Sequence, residues 1–322
     1  MPNKELEEAA ANFVKSEETK KAKTLKGAVE DLGNIEDRDD DAMVKKEIQH
    51  EEPKSQMDIG WQRVDVRELP SEGMFYDNGI QILMRAATGK EIKHWASLNE
   101  QDGVQLDNMI NYMVEKHFTV SIPGKRASFK DLLDLDRIYL IFALNEYTFK
   151  NGENKVKAEV QLDSGEIETV HVTKNTISLF KMPEKLERFY DPETKSLKFE
   201  LDGETIYMNL PTIGTSKFFY DLRERKRQEG KELDTDFLRA ALFMVKDWRG
   251  LNEQTYNQMA AQSNGWSLRK HSLITKVVDS LTAAIQPQMT VMTSAGEVTR
   301  PLNFQGGFKS LFLIPDILDE LD

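Results

Sequence analysis

A chain of 322 residues with 39% hydrophobic and 30% charged side chains has room for one large domain or two ordinary ones. Its net charge of −12 argues against a general nucleic-acid binder, which needs a basic surface facing the phosphates. The absence of cysteine excludes disulfides, thiolate metal sites and a cysteine nucleophile, and no apolar run approaches the roughly 18 residues of a membrane span.

Residues 1–58 carry 16 acidic and 10 basic side chains, with Phe13 as their one aromatic. That composition belongs to disorder. Ordering each backbone unit costs about 1–2 kcal/mol, whereas the large apolar side chains here number about eleven and return only about 1.5–3 kcal/mol apiece on burial. We therefore expect a disordered acidic extension, either merely solvating or a tether that folds on a partner. Its first residues, MPNKELEEAA, lack the apolar core of a secretion signal.

From Trp61 the pattern alternates through Arg67, then turns at Leu69-Pro-Ser-Glu-Gly73 and returns as Ile80–Arg85. Pro70 fixes one φ and Gly73 permits a positive one, so this reads as two paired strands. Thr88 and Glu91 have capping-box spacing and open a helix through Ile92, Trp95 and Leu98. A second helix is expected over Gly103–Phe118. A third, capped by Ser128, carries Leu132, Leu135, Ile138, Tyr139 and Phe142; it is apolar most of the way round and reads as a buried centre.

Beyond residue 150 the pattern predicts a hairpin over Val156–Val172 turning at Asp163-Ser-Gly165. Another turns at Asp202-Gly203 with the chemistry of a type I′ turn. Helices follow at Ser216–Gln228, Asp234–Trp248, Asn252–Ser263 and Ser267–Ile285. A last hairpin spans Met289–Asn303, and an apolar patch, Phe308–Leu313, precedes the acidic stretch IPDILDELD. The two Gly-turn hairpins echo one another, since DSGEI at 163–167 and SAGEV at 294–298 are each followed by Ser-Leu-Phe. The expected fold is α+β, a mainly helical body with several antiparallel hairpins. It divides into a subdomain at 59–150 and another at 151–322.

Chemistry-bearing motifs are missing. There is no glycine-rich phosphate loop, nucleophile elbow or H-E-x-x-H, and the five histidines lack metal-ligand spacing. The basic run Arg223–Arg227 reads as a solvated helix face of alternating charge rather than a nucleic-acid contact. No catalytic residue, cofactor or metal is therefore expected. The alternative is a soluble enzyme or regulator whose site is assembled from dispersed charged residues.

Two stretches resemble a known family. ELPSEGMFY (68–76), followed by the strand IQILMRAA and the helix TGKEIKHWASL, and then SFKDLLDLDRIYLIFALNEYTF (128–149), resemble the baseplate hub and hub-assembly proteins of T-even-type, contractile-tailed bacteriophages. The match covers residues 60–150; the acidic extension 1–58 is outside that pattern. The two Gly-turn hairpins carry Gln161/Ser164 and Met292/Ala295 where a Cys-x-x-Cys knuckle would be natural. The resemblance implies a morphogenesis chaperone or minor hub component that binds phage baseplate and tail structural proteins in the host cytoplasm, with or without retention in the virion. It implies no nucleic-acid or membrane partner. It makes Leu69, Pro70, Gly73, Phe75 and Tyr76 candidate partner-binding residues, because aromatic side chains on a rigid turn supply much contact area at low entropy cost. The competing expectation is that Phe75 and Tyr76 pack the hairpin onto the helix at Trp95.

Overall fold

The computed structural model describes residues 60–97, 103–149, 156–302 and 311–312. The expected disordered extension at 1–58 and most of the patch at Phe308–Leu313 lie outside the described residues. The fold is α+β, with four small antiparallel sheets and eight helices among the described residues.

The first sheet has the order β1 (Trp61–Val64), β2 (Gln81–Arg85), β3 (Phe118–Ser121), with Ile82 of β2 opposite both Val64 and Val120. β1 stops short of the alternation expected through Arg67. The Asp65 carboxylate accepts the Arg67 N–H at 3.0 Å and turns residues 66–68 into a 3₁₀ turn, a local bond that competes with the ladder. β3, a strand not expected from the sequence, follows directly on the helix found at Gly103–His117, within a residue of its expected end; its Phe118 and Val120 point inward, and Thr119 and Ser121 outward.

Three helices pack beside this sheet: α1 (Gly89–Ala96), α2 (Gly103–His117) and α3 (Arg137–Thr148). The Thr88–Glu91 capping box is present. α3 buries seven consecutive residues, Tyr139–Asn145, so the expected centre is where the periodicity put it. Its start is corrected from Ser128 to Arg137. Ser128 instead caps a 3₁₀ turn at Phe129–Asp131, and Leu132 and Leu133 are extended. They cannot be helical because the Leu132 carbonyl accepts the Ile213 N–H at 2.8 Å and Leu133 bridges to Thr212.

The remainder adds β4 (Val156–Gln161), β5 (Ile167–Val172), a single turn α4 (Glu184–Glu187), β6 (Tyr190–Asp191), β7 (Ser196–Leu201) and β8 (Glu204–Met208). Asp202 and Gly203 have φ of 52° and 82°, as a type I′ turn requires. Then come α5 (Ile213–Gln228), α6 (Thr235–Met244), α7 (Glu253–Ser263), α8 (Leu268–Ala284), β9 (Gln288–Thr293) and β10 (Gly296–Pro301). α6 ends four residues before the expected Trp248, because Val245 is extended and Trp248 opens a 3₁₀ turn. The two echoing hairpins differ in their connections, residues 162–166 in one and residues 294–295 in the other. They are tied together, with Glu168 accepting from the Ser294 N–H and hydroxyl, and Arg300 paired with Asp163 at 2.6 Å.

One large core draws on both sides of the boundary expected near residue 150: Leu133 and Phe142 belong to it, and so do Phe180, Leu210 and Leu281. A smaller cluster, around Phe219, Phe237 and Tyr256, holds α5, α6 and α7 together. Leu311 and Phe312 are fully buried in the large core. The Asn145 amide donates to the Leu311 carbonyl, and the Phe312 ring meets Trp95 edge-on, centroids 4.7 Å apart.

Candidate functional site

The Leu69–Tyr76 turn and the Asp134–Arg137 stretch, the two most distinctive segments of the sequence, are bonded to each other. Asp136 stands at the N-cap of α3 but spends nothing on its own helix. Its Oδ1 accepts the Ser71 N–H at 2.8 Å, and its Oδ2 accepts the Ser71 hydroxyl at 2.7 Å and the Tyr76 hydroxyl at 2.9 Å. The Tyr76 oxygen in turn accepts the Leu133 N–H at 2.9 Å. The next residue, Arg137, reaches the other way, to Asp107 at 2.6 Å and Asn111 at 3.0 Å on α2. One dipeptide thus ties the turn, α3 and α2 together.

The turn is shaped to make these bonds. Gly73 has a φ of 78°, and a Cβ there would lie 3.1 Å from Val66 Cγ1. Phe75 takes a φ of 66°, a conformation rare for a bulky residue and costing on the order of 1–3 kcal/mol. The strain is offset by packing, since its ring lies edge-on to Tyr190 at 5.2 Å and to Phe180 at 6.4 Å. The Pro70 carbonyl accepts the Phe180 N–H at 2.7 Å. Leu69, Pro70, Phe75 and Tyr76 are therefore buried and Gly73 half-buried; the structure turns these candidate anchors inward instead of presenting them. They do pack, as the competing expectation held, but onto Phe180, Tyr190 and Asp136. Trp95 faces His117 and Phe312.

Burial pushes the Asp136 carboxyl up to about 6, against the pull of its three hydrogen-bond donors. The Tyr76 phenol is raised as well, by burial and then by the neighbouring negative charge. Asp136 is sealed, at 0% exposure, with both oxygens taken. Its proton is held more tightly in the folded chain than at the ordinary value of 3.8. This group's contribution is therefore fully present below pH 4, falls as the pH rises to about 6, and is level above that. The change is on the order of 3 kcal/mol. Urea melts of wild type and Asp136→Asn between pH 4 and 7 should diverge by that amount; parallel curves would refute the assignment.

A second polar knot lies along the same stretch. Asp131 accepts the Trp248 indole N–H at 3.0 Å and Arg249 Nη2 at 2.7 Å, 117 and 118 residues away in sequence. The Trp248 ring is held against Gly214 of α5, where a Cβ would stand 2.5–2.8 Å from three ring atoms. Lys130 and Arg249 each place a cation 4.9 Å from the ring centre. Gly214 and Trp248 were not singled out from the sequence. A glycine in the first turn of a helix is a signal of close approach that could have found them.

These two knots frame a groove. A concavity of about 610 Å³ lies along Arg63, Glu72 and Gly79. It shares Tyr76 and Asp77 with a smaller one of about 210 Å³, lined by Leu210 and Asn209. That one shares Arg249 with a third, of about 550 Å³, at Trp248, Lys130 and Arg126. In the middle section Lys125 pairs with Asp77 at 2.7 Å, and Arg249 with Asp131 and Asp247. Asn209 is only 5% exposed, and its amide nitrogen has no hydrogen-bond partner.

Elsewhere the Arg223–Arg227 run is largely ion-paired within the protein. Lys226 and Arg225 reach Glu253, and Arg227 reaches Glu224 at 2.8 Å. Among the described residues no three His, Asp or Glu side chains converge as metal ligands, and no helix is long and apolar enough to cross a membrane. Comparison with protein-family models, with curated proteins and with solved structures finds no match to this chain.

Proposed function

We propose that this protein is a bacteriophage tail baseplate hub assembly protein, a morphogenesis chaperone or minor hub component that works in the host cytoplasm by binding other proteins. One observation carries the reading. The two stretches that bear the family resemblance, 68–76 and 128–149, are a single bonded unit through Asp136, and they wall the groove side by side. The buried turn is then a strut, and the groove it shapes is the recognition surface, in place of the aromatic anchors themselves. A rigid concave surface suits a protein that must hold shaped segments of other subunits during assembly.

Affinity purification of the tagged chain from infected cells should recover baseplate or tail proteins, and a null mutant should give defective tails. Recovery of none of them, together with normal tails in the mutant, would overturn the proposal. Presence in purified virions would assign a structural component, and absence a chaperone.

A further inference from the structure

The charge in the groove is unevenly distributed. Around the middle section Lys125, Lys246 and Arg249 are matched by Asp77, Asp131 and Asp247. At the Trp248 end Arg126 and Lys130 face a single carboxylate, Glu115, while the third cation, Arg249, is already paired with Asp131 and Asp247. Arg126 and Lys130 have no ion-pair partner among the described residues, although the chain as a whole carries a net charge of −12. Arg249 and Trp248 are fixed in place by Asp131, so this end is a prearranged aromatic and cationic platform. The middle section, about 210 Å³, is charge-balanced and is lined also by Phe75, Leu133 and Leu210.

We propose that the groove binds an extended acidic peptide segment of a partner protein, its carboxylates against Arg126 and Lys130 on the Trp248 platform and its apolar side chains along the middle section. This rests on the assembly reading above and names the chemistry of the partner. A peptide fits better than a nucleic acid. A phosphate backbone brings charge along its whole length, whereas only at the Trp248 end do the lining cations outnumber the lining carboxylates.

The test is fluorescence anisotropy with the full chain and a fluorescein-labelled ten-residue peptide of alternating glutamate and leucine, set against the same peptide with glutamine for glutamate. Wild type should bind the glutamate peptide at least tenfold more tightly. Arg126→Glu with Lys130→Glu should abolish that preference, and Lys276→Glu on the exposed face of α8 should leave it intact. If the double reversal does not fold, as judged by circular dichroism, Arg126→Gln with Lys130→Gln serves in its place. Equal binding of the two peptides, or a preference that survives the loss of both cations, would overturn the inference. So would tighter binding of oligo-thymidine through the same residues. A tenfold gain in peptide affinity on neutralising Asp316, Asp319 and Glu320 would also overturn it, by assigning the groove to the chain's own acidic segment. If tail proteins are recovered from infected cells while the peptide test fails, the peptide inference falls and the assembly role stands.

Discussion

Replacement of Asp136 by alanine is expected to lower stability at pH 7 by about 3–5 kcal/mol, read as a shift in the urea midpoint at unchanged slope. The substitution strands three donors at once: the Ser71 N–H, the Ser71 hydroxyl and the Tyr76 hydroxyl, at a site with no access for water. It also frees a turn that holds Phe75 at a φ of 66°. Tyr76→Phe removes the hydroxyl that bridges Asp136 and the Leu133 N–H and should cost about 1–3 kcal/mol. Because the two share a bond, the double variant should be less destabilised than the sum of the singles. A fully additive pair, or an Asp136→Ala protein as stable as wild type, would remove the clasp from its central place.

Gly214→Ala should cost about 2–4 kcal/mol, the sum of overpacking and a lost indole hydrogen bond. A methyl group there collides with the base of the Trp248 ring and not with a flexible tip. The ring cannot step aside without leaving Asp131, to which its N–H donates at 3.0 Å. Displacing it should also change the intrinsic tryptophan fluorescence. Adding Gly214→Ala to a Trp248→Ala protein should cost little, since the obstacle is gone. If alanine at 214 is equally damaging in both backgrounds, the contact with Trp248 is not the cause.

What could be read in advance follows the range of each interaction. The Thr88–Glu91 capping box and the Asp202-Gly203 hairpin depend on neighbours within a few residues and are found as expected. The burial of α3 follows from its own apolar circumference. The fold class, α+β, follows from these local signals together. The pairings that give the groove its shape are of another kind. Ser71 and Asp136 are 65 residues apart, and Asp131 and Arg249 118. No spacing rule connects them, and each partner alone looks like an ordinary turn serine or surface aspartate. The same long-range ties made Leu132 and Leu133 extended where local propensity favours helix. The candidate anchors failed to be surface residues for a related reason. A turn rich in aromatics can face either way, and the direction was decided by a carboxylate sixty residues downstream.

The Asn145 side chain holds the carbonyl of a residue 166 positions later. On the ribosome, at about 5–20 residues per second, that distance amounts to roughly 10–30 s of translation. For that interval the face of α3 at Asn145, and for a longer one the Trp95 surface that Phe312 later covers, stand open while the rest of the chain is still being made. The nascent polypeptide therefore offers an oily patch to holdases before it can cover that patch itself, and pausing before codon 311 lengthens the exposure.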